Sequence, residues 1–173
     1  MSDVRSRLAL TVCESVSLAM ILLRRGTASA ASSALQARCG FALPQPGRLT
    51  SASATQVLWS GPDRFLAVRD DPRTGLAAEL TAALGDLAHV VEASSSRTVF
   101  EVAGSGAAEA LNRVLPIDLH PRAFPAGSVA LTSAAHMAVQ LWRPGDDAVF
   151  RLACSSSFAA SLRHHLAAAG FGD

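Results

Sequence analysis

The side chains able to do chemistry are few and scattered. Five histidines, His89, His120, His136, His164 and His165, stand in the 173-residue chain. Only the last two are close in sequence. Neighbours on a helix point about 100° apart, so His164 and His165 cannot share one metal ion. Near a helix C-terminus they suit the negative pole of its dipole instead. Cys13, Cys39 and Cys154 are odd in number and widely separated, with no CxxC pair and no Cys/His cluster. That pattern predicts free thiols in a reducing compartment rather than disulfides or a zinc site.

Two serine triplets, Ser94-Ser95-Ser96 and Ser155-Ser156-Ser157, invite comparison with a nucleophile, but neither sits in a G-x-S-x-G elbow. The first bridges two expected strands. The second stands before a helix, where serine is expected to cap free N–H groups, with anion binding as the rarer use of such a place. Gly104-Ser105-Gly106 follows a strand and opens a helix, as dinucleotide loops do. Glu109 takes the place of the third glycine, however, and would set a negative charge beside a pyrophosphate. Asp70-Asp71 and Asp146-Asp147 adjoin Pro72 and Pro144-Gly145 and read as turn chemistry. No catalytic, cofactor-binding or metal-ligating residue emerges.

Composition narrows the classes further. Every basic side chain other than histidine is arginine, and tyrosine is absent as well. Without lysine there is no P-loop phosphate cradle with its Lys and no Schiff-base chemistry. A net charge of +1 with no basic stripe argues against nucleic acid or an anionic membrane as partner. Half of the residues are hydrophobic, enough for one good core or two small fused ones. Arg5 and Arg7 precede an apolar stretch, but Glu14 interrupts it and Arg24-Arg25 stand where a cleavage region should begin. The uninterrupted apolar run 18–23 is far too short to span a bilayer. A cytoplasmic protein is expected.

The elements that must position these residues alternate between short strands and helices. Strands are expected over 17–24, 54–60, 65–69, 89–92, 98–102, 129–133, 137–142 and 149–154. Thr27 is expected to cap a helix with Ala28, Ala31 and Leu35 on one face, ending at Gly40. Asp71-Pro72 signals the start of a second helix carrying Leu76, Leu80 and Leu84. A third is expected over 105–115, with Ala108, Leu111 and Leu115 inward and Pro116 ending it. The last begins near Ser157 and aligns Phe158, Leu162, Leu166 and Ala169.

The halves superpose as patterns. Leu58-Trp59, Asp63, Phe65-Leu66-Ala67 and Leu80/Leu84 correspond to Leu141-Trp142, Asp147, Phe150-Arg151-Leu152-Ala153 and Leu162/Leu166, at an offset of roughly 80 residues. The expectation is an α+β fold of tandem ferredoxin-like split βαβ units. It forms a single domain over 1–173, with pseudo-repeat halves about 16–93 and 97–170.

The connector over 116–125 stands apart from the scaffold. It mixes Pro116, Pro121 and Pro125 with Ile117, Asp118, Leu119, His120, Arg122 and Phe124. A proline-stiffened loop loses little entropy on docking, and Arg and aromatic side chains are favoured anchors. Together with Trp142 and Arg143, these residues are partner-interface candidates. The competing expectation is that Ile117, Leu119 and Phe124 plug the chain's own core.

The stretch Arg97-Thr98-Val99-Phe100-Glu101-Val102-Ala103-Gly104, the following 111–115, and Ile117-Asp118-Leu119-His120-Pro121-Arg122-Ala123-Phe124-Pro125 resemble the gamma subunit of bacterial heterotetrameric sarcosine oxidases. Gly127, Thr132, Gln140-Leu141-Trp142-Arg143, Ser157-Phe158-Ala159 and Leu58-Trp59-Ser60-Gly61-Pro62-Asp63 extend the likeness over roughly Leu22 to Leu166. The resemblance implies a fold similar to the folate-binding domain of aminomethyltransferases. It also implies a non-catalytic subunit that stabilises a complex oxidising sarcosine to glycine. In that complex the one-carbon unit passes to tetrahydrofolate and electrons pass to oxygen. FAD, FMN and NAD are implied for the alpha and beta subunits and zinc for delta, with none in this chain. The sequence departs from the family pattern at Arg64-Phe65, Cys154-Ser155-Ser156 and His164-His165. Two rival expectations stand beside this one: a folate-dependent aminomethyl-transferase-like protein, and a free-standing ligand-binding module.

Overall fold

The computed structural model describes residues 8–71 and 75–172. Glu14–Arg97 forms one compact unit, and the residues on either side of it form the other.

In the first unit, Ser17–Leu23 (β2) alternates so that Ala19, Ile21 and Leu23 meet the helices. The strand preceding it in the chain, Ala9–Val12 (β1), belongs to the second unit. Ala28–Cys39 (α1) follows β2, then Leu49–Ala52 (β3), Thr55–Trp59 (β4), Arg64–Arg69 (β5), Leu76–Leu84 (α2) and Ala88–Glu92 (β6). The sheet runs β3-β4-β5-β2-β6 with antiparallel neighbours, Met20 opposite Leu66 and Val57 opposite Ala67. Strands β2 and β4 flank β5, so the βαβ pair is split by the strand that comes next in sequence. Ile21, Ala31, Leu35, Val57, Phe65, Leu80 and Leu84 make the core beneath the helices. Each large aliphatic side chain so buried contributes about 1.5–3 kcal/mol.

The second unit repeats the plan. Arg97–Ala103 (β7), Ala107–Leu111 (α3), Val129–Ala134 (β8), Met137–Trp142 (β9), Val149–Ser155 (β10) and Ala159–Ala168 (α4) follow in order. The sheet runs β1-β7-β10-β9-β8. Read from the β6 edge, the first sheet is β6-β2-β5-β4-β3, so the two orders match place for place. The edge strand alone comes from a different part of the chain. In the first unit it follows α2, whereas in the second it is β1, before the first unit in sequence. Leu10, Phe100, Leu111, Leu141, Leu152, Leu162 and Leu166 build this core.

Several expectations need correction. Strands β1 and β3 have no counterpart in the sequence reading, because each is only four residues long and carries a mixed pattern. Thr27 does not cap α1 with its side chain. Its hydroxyl lies 2.8 Å from the carbonyl oxygens of both Arg24 and Leu87, so it acts as donor there. Ala28 is exposed, and the buried face of α1 is Ala31 and Leu35. Gly40 ends the helix with φ 80°, a left-handed conformation that glycine adopts without a Cβ penalty. Pro72 lies outside the described residues. Helix α3 is shorter than 105–115. After Leu111 the chain tightens, with Arg113 and Val114 donating to carbonyls three residues back. Pro116 disfavours helical backbone only at Leu115, so it sets the far limit of this turn rather than the end of α3 at Leu111. Phe158 is exposed, and the stripe of α4 is Leu162, Leu166 and Ala169.

Candidate functional site

The connector between α3 and β8 divides by side chain. Leu119 (0% exposed) and Phe124 (7%) enter the core of the second unit, and Ile117 packs half-buried against it. Asp118, His120 and Arg122 remain exposed. The loop is held by its own hydrogen bonds. The Asp118 carboxylate accepts the His120 N–H at 2.8 Å, and His120 Nδ1 accepts the Arg122 N–H at 3.2 Å. The N–H groups of Ala123 and Phe124 both donate to the His120 carbonyl at 2.8 Å. Such a loop presents its polar side chains from a fixed backbone.

Arg143, at the end of β9, fastens the loop from inside. Its Nη1 donates to the Phe124 carbonyl at 3.2 Å and its Nη2 to the Asp146 carbonyl at 2.7 Å. The guanidinium lies 5.8 Å from the centroid of the Phe150 ring, within cation–π range. Phe124 stacks on the same ring, centroids 6.5 Å apart. Arg143 is 8% exposed, and its Nε has no hydrogen-bond partner among the described residues. Trp142 beside it is fully buried. Of the eight interface candidates, Leu119, Phe124, Trp142 and Arg143 are therefore interior. Asp118, His120 and Arg122 form the outward face, with Ile117 between.

The serine triplets serve the scaffold. The Ser94 hydroxyl donates to the Glu92 carboxylate and accepts the Leu18 N–H at 2.8 Å, closing the β6–β7 turn. The Ser94 hydroxyl, joined by two backbone N–H groups, holds the Glu92 carboxyl below its ordinary range. Ser155 makes no side-chain cap and instead lies 3.0 Å from the Ser157 hydroxyl. Among the described residues no group of three or more His, Cys, Asp and Glu is placed to hold a metal. No helix there is long and apolar enough to cross a membrane.

A second site escapes sequence reading. An open cleft of about 760 Å³ in the first unit is bounded by the end of α1, the β3–β4 turn, the end of β5 and α2. Arg69 Nε donates to Thr55 Oγ1 at 2.9 Å, and its Nη2 meets Glu79 Oε2 at 2.6 Å. The same contact holds the Glu79 carboxyl below its usual range and the Arg69 guanidinium above. Arg38 Nη1 donates to the Ala82 carbonyl at 3.0 Å. Burial, and next the Glu79 charge, push the Cys39 thiol up. These groups come from elements far apart in sequence, so no local motif announces them.

Residues 25–170 match the model of the family described as "Sarcosine oxidase, gamma subunit family". The chain belongs to that family. A sarcosine oxidase subunit gamma from Arthrobacter sp. is 42% identical over 127 residues, which cover 72% of this chain and 62% of that relative. The chain thus spans less than two thirds of that relative's length. A chain of the heterotetrameric sarcosine oxidase from Corynebacterium sp. U-96, solved with pyrrole 2-carboxylate, superposes with TM-score 0.83. It is 32% identical, and the match covers 94% of this chain and 83% of that one. Aminomethyltransferase T of the glycine cleavage system from Bartonella henselae superposes with TM-score 0.68 at 16% identity, over 94% of this chain and 46% of its own. That likeness concerns the fold, and it agrees with the tandem split βαβ expectation.

Proposed function

We propose that this chain is the gamma-type small subunit of a heterotetrameric sarcosine oxidase, stabilising the assembly without carrying its reactive groups. The observation that carries this reading is the superposition on a chain of the Corynebacterium oxidase over nearly the whole length. The alpha, beta and delta companions would hold FAD, FMN, NAD and zinc. Together they would oxidise sarcosine to glycine in the cytoplasm, with tetrahydrofolate accepting the one-carbon unit and oxygen the electrons. In this chain, Asp118, His120 and Arg122 would meet a companion. Ile117, Leu119, Phe124, Trp142 and Arg143 would shape the loop from behind.

Co-expression with the three companion chains tests the reading. The tagged chain should retain all three through size exclusion, and the complex should oxidise sarcosine. Replacing Asp118, His120 and Arg122 together by alanine should weaken retention at least about tenfold, near 1.4 kcal/mol, and Arg122→Ala alone, which leaves the loop's side-chain hydrogen bonds in place, should weaken it with an unchanged melting temperature. Failure of the unaltered chain to retain its companions would end the proposal.

A further inference from the structure

A smaller cleft of about 320 Å³ in the second unit lies between the turn after α3 and the β8–β9 turn. Its polar lining is Asn112, Arg113, Ser133 and His136, and among the described residues no carboxylate takes part. The side chains of these four make no hydrogen bond or ion pair with the described residues. Glu109, one turn before Arg113, does not line the cleft and makes no ion pair with that guanidinium. A cation therefore stands there beside three further donors, with no counter-charge among the described residues. The β8–β9 turn adds an independent observation. Ala134 pairs with Met137, so Ala135 and His136 form a two-residue hairpin loop, with φ 46° and 68°. Loops of this length favour Asn-Gly, because residues with a Cβ are strained at positive φ. Here the strained backbone holds an unbonded imidazole at the cleft, and strain of this kind gathers at ligand sites.

We propose that this cleft binds a phosphate group carried as the monoester of a small alcohol, with Arg113 and His136 as its principal contacts. A guanidinium takes two phosphate oxygens in a forked contact. The Asn112 amide, the Ser133 hydroxyl and the imidazole N–H can serve the remaining lone pairs, together exceeding the roughly four acceptor sites of a carboxylate. Half-buried Val114 and exposed Pro116 border the cleft and suit a compact apolar ester group. The volume is at the small end of the range for ligand sites. The site belongs to this chain by itself, so it stands or falls separately from assembly with companions.

The five histidines supply the reporter. The full-length chain is titrated with phenyl phosphate at fixed pH and ionic strength, and the imidazole Cε1–H signals are followed by NMR. The His136 signal, assigned by its loss in His136→Gly, should shift saturably while those of His89, His120, His164 and His165 stay in place. By calorimetry, benzoate and inorganic phosphate should each bind at least about tenfold more weakly than phenyl phosphate. His136→Gly places glycine at a positive φ, so it should raise the melting temperature while weakening phenyl phosphate at least about tenfold. Arg113→Ala, at an exposed side chain, should abolish binding with an unchanged melting temperature. No saturable shift at His136 overturns the proposal, as does benzoate binding equally tightly or binding that survives Arg113→Ala. A lower melting temperature in His136→Gly would overturn it too, by placing the imidazole in the scaffold. Inorganic phosphate binding as tightly as phenyl phosphate would overturn the monoester as ligand.

Discussion

Phe124 shows how an interface-like residue becomes an internal one. Its ring stacks on Phe150, and its carbonyl takes a hydrogen bond from Arg143, whose own guanidinium reaches over the same ring. Removing that ring leaves a cavity beneath the loop and loosens the backbone that displays Asp118, His120 and Arg122. Phe124→Ala should therefore lower unfolding free energy by about 3–5 kcal/mol, measured by urea titration of the isolated chain. A change below about 1 kcal/mol would mean the ring does little for the core, returning Phe124 to the role of docking anchor. Proline spacing and residue type marked this loop in the sequence. Which of its apolar side chains turned inward was not legible there, because an anchor and a core plug have the same composition.

At the scale of elements, β1 is the least expected piece. Leu10 is 4% exposed in the core of the second unit, and Ala9 to Val12 pair antiparallel with Ala103 to Phe100. Its N–H also donates to the Gly172 carbonyl at 2.7 Å, tying the strand to the end of the chain. A four-residue strand holding the edge next to β7 shields backbone groups that would otherwise seek another strand. Leu10→Ala should cost about 2–5 kcal/mol. Hydrogen exchange should show the faster opening concentrated in β1 and β7 rather than in β2 to β6. Uniform acceleration through both sheets would contradict the assignment of β1 to the second unit. Periodicity revealed most of the other strands and the helices with strong leucine spacing. It missed β1 and β3, because edge pairing is supplied by a neighbouring strand rather than by a strand's own pattern. It overextended α3, where three-residue bonding replaces the helical ladder after Leu111.

For the whole molecule, acid should be the sensitive direction. Glu79 is held below its ordinary range by Arg69, and Glu92 by Ser94. Both carboxylates bind protons less readily folded than unfolded. Their stabilisation is present above the ordinary glutamate range, near pH 4.3, and is lost as pH falls through the lower folded values. The urea midpoint should thus decline from pH 6 to pH 3. The decline should be shallower in Glu92→Gln, where one of the two linked groups no longer titrates. An equal slope in both proteins would show that Glu92 is not linked to folding. Salt should reduce the Glu79 share, since that side chain is 59% exposed.

The amino-acid order alone determined the α+β class, the two-unit repeat pattern and the family likeness centred on the connector. Alternating apolar residues, leucines at helical spacing and proline-bearing loops express themselves locally, so they can be read without coordinates. The tertiary structure decided which connector residues face outward, where the N-terminal strand pairs, and that Arg38, Cys39, Arg69 and Glu79 share one cleft. Those facts depend on contacts between segments distant in sequence, and burial and charge pairing there are properties of the packed chain rather than of any short stretch of it.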